Sequence, residues 1–217
     1  MAWCAVIMAV SYVLVGITHF LMPREQIHMA GGIKATFFES LTRTSTAFRL
    51  HYWCFMIAAL SGAGLMIGLP ETLGIQPSLL LIVSQAVAVF GSLVAALNFG
   101  FMLDRALRLS RAWSGLSAAA QETLRTEGLQ NLDPTGLFSF GLVGLGLGLI
   151  NVMAINAQSI PMWLGIIGCL GGVTFLAVFI GMVSGVGVLV DIGAGFGGFI
   201  AAPVWGIGLA YFLIHMR

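Results

Sequence analysis

Three residues carry chemistry that is out of keeping with their apolar neighbours: His19 in GITHFLMP, His51 in FRLHYW and Asp191 in VLVDIGAGFGGFIAA. An imidazole changes charge near neutrality and ligates metals and haem iron. A carboxylate at the centre of a membrane helix costs about 2.5–3.5 kcal/mol, so one retained there marks a proton or cation path, or the partner of a buried histidine. At a helix start the same group is an interfacial cap, favoured by the dipole. Asn98 and Asp104 add polar groups near the end of another apolar run. If the helices carrying these residues end at one face, the set could hold a metal, a haem, a pigment, a quinone or a proton. Nothing in the spacing selects the metal.

Other motifs are absent or misleading. There is no H-E-x-x-H, G-x-S-x-G, P-loop or Ser-His-Asp order, so a hydrolase or metalloprotease has nothing to stand on. Gly193, Gly195 and Gly198 spell G-x-G-x-x-G. A dinucleotide turn also needs a strand before it and an acidic residue about 20 positions later. Here another apolar run precedes the glycines, and no acidic residue follows Asp191. Cys4, Cys54 and Cys169 are far apart and form no C-x-x-C, which makes them small packing residues.

The elements that position these groups follow from composition. Of 217 residues, 59% are hydrophobic and only 8% are charged, against about 25% charged in a soluble domain. Such a chain cannot cover itself with polar groups and must be solvated by lipid. The net charge of +1 offers no field for nucleic acid. The start, MAWCAVIMAV, has no basic n-region and no A-x-A site, so the first apolar run is expected to stay as a helix. With about 20 apolar residues per span, six segments qualify: 2–22, 50–69, 78–103, 135–155, 161–183 and 190–214. The expected fold is therefore an all-α polytopic bundle, a single membrane domain over 1–217. The last break rests on Ser184, Gly185 and Gly187.

The loops supply an orientation. Arg24, Lys34, Arg43 and Arg49 fall between the first and second spans; Arg105, Arg108, Arg111 and Arg125 fall between the third and fourth. The remaining loops have no Lys or Arg, while Arg217 weakly opposes the pattern. The positive-inside rule then puts both basic loops in the cytoplasm and both termini outside, as in a bacterial inner membrane. His19, His51, Asp191, Asn98 and Asp104 would share the cytoplasmic end, with His28 close by and His215 at the opposite face. Within 105–127, Leu109, Trp113, Leu116, Ala120 and Leu124 recur at helical spacing, which predicts an amphipathic helix on the interface. Ile33, Phe37, Phe38 and Leu41 predict a shorter one.

Two spans have readable faces. Ser84, Ala88, Gly91, Ala95 and Asn98 form a small and polar stripe on the third; Gly141, Gly144, Gly148 and Asn151 form one on the fourth. Small residues let membrane helices approach closely. The two stripes are expected to face each other, with Gln85 hydrogen-bonded to Asn151 across them.

LQNLDPTGLFSFGLVGLGLGL, preceded by an Ala-rich amphipathic segment and followed by two Gly-rich helices, resembles small bacterial six-helix membrane proteins of unknown function. GITHFLMP is similar to the first helix of DoxX-like membrane proteins. The resemblance implies a fold class and carries over no catalytic residue. The leading functional expectation is a non-enzymatic accessory or structural subunit, working through packing with other membrane subunits or with itself. The second is a small proton-linked carrier or permeation protein centred on Asp191 and His51. The third is a redox subunit holding haem or quinone near His19 and His51.

Overall fold

The computed structural model describes residues 1–27, 33, 36–129 and 131–216. His28, Lys34 and Arg217 lie outside them. Six helices are long and apolar enough to cross a membrane, and no strand occurs among the described residues. Large apolar side chains such as Trp3, Phe20, Leu79, Ile82, Val173 and Ile207 are more than half exposed on the outside. This is an integral membrane protein whose outer surface is solvated by lipid tails.

The first span is α1 (Ala2–Leu21), which ends just before Pro23; the short α2 (Phe37–Arg43) follows. The second span, α3 (Thr46–Thr72), starts earlier than its apolar run because Thr46–Arg49 continue the same helix, and Pro70 falls in its last turn. The third, α4 (Leu79–Ala112), opens on Ser78, whose hydroxyl accepts from Leu81 N–H at 3.1 Å.

Here the structure corrects the expected division at residue 104. No Gly or Pro interrupts 101–112, and Arg108 pairs with Asp104 one turn away at 2.8 Å. The helix therefore runs on past the apolar stretch. It stops at a 3-10 turn over Trp113–Gly115, and Ser117 caps a separate α5 (Ala118–Glu127). The expected continuous amphipathic helix over 105–127 is thus two pieces at an angle set by extended Leu116.

The fourth span runs from Leu137 to Asn156. Its first turns are π-helical (Leu137–Leu142) because the Gly136 carbonyl accepts from both Phe140 and Gly141 N–H groups; α6 (Val143–Asn156) completes it. The fifth is α7 (Met162–Ser184). It ends on Gly185 at φ +72, a left-handed conformation that glycine adopts without strain. The sixth comprises α8 (Gly187–Phe196), a π-helical turn (Gly197–Ala201) and α9 (Ala202–His215). Pro203 lacks an N–H and disturbs the ladder behind it, and Ala202 N–H reaches back to Gly197 O.

The spans form a closed ring in chain order. Each packs against the one before it, and α9 returns to α1. Two apolar clusters fill the ends. One, around Leu65, Leu69, Ile150, Leu164, Trp205 and Leu209, seals the face that holds both termini. The other, around Phe37, Phe38, Phe48, Tyr52, Leu103 and Trp113, lies at the face of the basic loops. There Phe38 stacks on Trp113 at 4.5 Å, and Leu109, Leu116 and Leu124 pack against the same cluster. The apolar side of the amphipathic segment therefore turns to protein.

Candidate ligand-binding site

At the basic face, the last turns of α1 bring Thr18 and His19 against His51 in the second turn of α3. The Thr18 hydroxyl donates to its own helix at Leu14 O (2.7 Å). His51 Nδ1 lies 3.1 Å from Thr18 Oγ1 and 3.1 Å from Val15 O. A carbonyl only accepts, so Nδ1 must carry a proton. In the uncharged ring this leaves Nε2 as an acceptor, and no described residue occupies it. His51 is buried and its orientation is set by α1.

His19 stands beside it, ring centroids 5.8 Å apart, and 5.4 Å from the Phe199 ring. Asp191 on α8, exposed, completes the wall of a cavity of about 400 Å³ that His19, His51 and Phe199 also line. His19, His51 and Asp191 thus meet in one vestibule.

Gln26 lines the same vestibule and has no periodic pattern to announce it. Its Nε2 donates to Ser40 Oγ (3.0 Å) and Thr44 O (2.6 Å). The Thr44 carbonyl can only accept, so the amide cannot be turned round. Gln26 Oε1 is left buried without a donor.

A second cavity, about 140 Å³, occupies the centre of the ring, and all six spans line it. Met8, Tyr12, Phe99, Val143, Phe175 and Trp205 are among its walls. An apolar cavity of about 150 Å³ stays dry and accepts benzene-sized guests. Trp205 turns its Nε1–H away to Asn151 Oδ1 at 3.1 Å, which keeps that wall apolar. Phe55 and Ala194 line both cavities. The Phe55 ring is braced by Phe99, stacked at 4.6 Å, and by His51, edge-on at 4.9 Å. It is the partition between a polar vestibule and an apolar chamber. Both π-helical turns, through Ser139, Phe140, Gly197 and Gly198, lie on the chamber wall.

Asn98 and Asp104 do not join this site. Asn98 is buried, and its Oδ1 accepts from Leu132 N–H at 2.8 Å, tying the loop after α5 to α4. Asp104 is exposed and paired with Arg108. Helical periodicity carried both to the same end of the bundle but on other sides of α4. His215 bonds Tyr211 O within its own helix.

The expected Gln85–Asn151 bond does not form. Gln85 Nε2 donates to Met66 O (3.0 Å) and Ile67 O (3.1 Å) on α3. Asn151 is used by Leu147 O (2.9 Å) and Trp205. The two polar side chains sit on opposite sides of their helices. The glycine stripe of the fourth span also turns elsewhere: a Cβ on Gly144 would strike Gly172 O of α7, and one on Gly172 would strike Gly144 O and Gly148 N. Towards α4, α6 presents Gly146, where a Cβ would strike Ser84 O and Ala88; Gly91 meets Phe138 O. Ser84 Oγ bonds back to Leu80 O at 2.7 Å.

Asp133 escaped sequence reasoning. It is 2% exposed, and its Oδ2 accepts from Ser139 N–H at 2.7 Å, capping the fourth span. The N-L-D-P-T-G stretch before an apolar run was the available signal.

A family model described as "Domain of unknown function (DUF4386)" matches residues 2–216. The match includes the first span, and no likeness to DoxX-like proteins is found there. No curated protein and no solved structure matches the chain.

Proposed function

The chain belongs to the DUF4386 family, whose function is unknown, and on that premise we propose that it binds an amphiphilic small molecule inside the helix ring. One observation carries this reading: a cavity lined by all six spans adjoins a polar vestibule across a single shared ring, Phe55. The chamber suits a short alkyl chain or one aromatic ring. The vestibule suits a polar end group. Apolar packing around Leu65, Leu69 and Leu209 closes the opposite end, so the ligand enters from the basic face. The basic loops support a cytoplasmic position for that face in a bacterial inner membrane.

The chemistry on offer is binding. His51 has its Nδ1 engaged by the backbone and presents Nε2, which no described residue bonds; the Thr18 hydroxyl beside Nδ1 donates to Leu14 O instead. The π-helical turns on the chamber wall are the points where two spans could bend on occupancy. This favours a receptor or carrier over a packing subunit, for which the chamber would bind nothing.

A photoreactive octyl alcohol, with a diazirine on its chain, tests the reading in protein held in lipid nanodiscs. Mass spectrometry should find label on chamber residues such as Tyr12, Phe55 and Phe175. Gly198 lines the chamber and has open space beyond its Cα. Gly198→Leu should therefore suppress that labelling without changing label on the lipid-facing surface. Equal labelling in both proteins would refute the chamber as a binding site. An absorption spectrum of the protein from its native membrane checks the haem and pigment alternative: a Soret band that sharpens on reduction would move the assignment to His19 and His51 as haem ligands.

A further inference from the structure

We infer that the end group held in the vestibule is a hydrogen-bond-donating cation, so that the ligand is a lipophilic amine; this rests on the amphiphile-binding reading above. Three features of the vestibule point the same way. First, its groups accept. Gln26 lines the cavity, and its Oε1, enclosed at that wall, is an acceptor without a donor whose orientation is locked by the Thr44 carbonyl. His51 Nε2 is the accepting nitrogen of a ring whose Nδ1 proton is spent on Val15 O. Second, the charge is negative. Asp191 lines the cavity, whereas no Lys or Arg among the described residues does. A carboxylate or phosphate end group would face Asp191 with no Lys or Arg among the described lining to meet it, which in partly apolar surroundings is heavily penalised. Third, three aromatic side chains stand among the remaining, apolar walls. Tyr52, Phe55 and Phe199 line the space, and a cation is attracted to ring faces.

A quinone fits poorly because its carbonyls only accept, leaving the accepting His51 Nε2 unanswered. An ammonium group answers all three features with its N–H donors and its charge. The apolar body then lies past Phe55 in the largely apolar chamber. His19, against Phe199 and His51, borders the end group and supplies a further ring nitrogen.

The test is competition against the octyl alcohol photolabel in nanodiscs, using octylamine, octan-1-ol and octanoate. Octylamine should suppress chamber labelling at a concentration at least about tenfold below the other two. Asp191→Asn should remove most of that advantage while octan-1-ol competes as before; Asp191 is exposed, so this variant keeps its fold. Octanoate or octan-1-ol competing as well as octylamine would overturn the amine assignment and leave the binding reading standing. Absence of specific chamber labelling by the alcohol itself, before any competitor is added, defeats the binding reading and the inference with it. An unchanged preference for octylamine in Asp191→Asn, and also in Gln26→Leu, would overturn the role of the vestibule in choosing it.

Discussion

Gly144 and Gly172 at the α6–α7 contact and Gly195 and Gly198 at the cavities have opposite surroundings. At the contact, Gly144 and Gly172 each occupy the place where a Cβ would strike the other's carbonyl. Gly195 in the vestibule and Gly198 in the chamber have nothing within 4 Å of a would-be Cβ. The first pair exists to bring two backbones together, which in lipid is a main source of helix association. The second pair keeps volume open. One residue type therefore serves contact at one pair and space at the other, and only the partner across the gap tells them apart.

The sharpest way to break this comparison is to add bulk at the contact. Gly172→Leu would push against backbone that cannot move aside, and overpacking of this kind costs about 1–3 kcal/mol or more. The variant is expected to lose most of its folded yield and to melt well below the parent in a thiol-reactive unfolding assay. Parent-like melting would mean that α6 and α7 separate freely. Next in size is Asn151→Ala, which strands the buried Trp205 Nε1–H. Leaving such a donor unmet costs about 1–3 kcal/mol, and denaturant or thermal midpoints should fall accordingly. No fall would show that Trp205 finds another acceptor. Asp104→Ala removes an exposed i,i+4 pair worth about 0.3–0.5 kcal/mol, a shift near the limit of the same measurement. Smallest in stability is Gly198→Leu, which fills empty space; its midpoint should match the parent while chamber labelling disappears. A large loss of stability there would place Gly198 with the contact glycines and end the distinction.

How much of this was legible without the structure differs by feature. The number of membrane spans follows from long apolar runs, because hydropathy is a property of each segment alone. The break at Gly185 was legible for the same local reason: a left-handed residue needs glycine. His19 and His51 could be placed at one end from topology, and the structure brings their rings within 5.8 Å. Asn98 and Asp104 shared that end and still missed the site. Depth along a helix axis is readable from sequence position, but rotation about the axis depends on the neighbours. The Gln85–Asn151 pairing failed on that same rotation. So did the partner of the Gly144 stripe, since α6 has glycine on two faces and either could have met α4. Gln26 was invisible because it lies in a loop, where no period links a residue to what it will touch.

Composition and local pattern by themselves determined that this chain lies in a membrane, has six helices long and apolar enough to cross it and carries its basic loops on one face. These are transfer and capping energies, summed over neighbouring residues in the chain. The closed ring, the chamber at its centre and the vestibule that joins His19, His51, Gln26 and Asp191 were decided by tertiary structure. Cavities are what remains after side chains from distant segments have packed. Their position depends on which faces meet, a choice among near-equal apolar surfaces that local sequence leaves open.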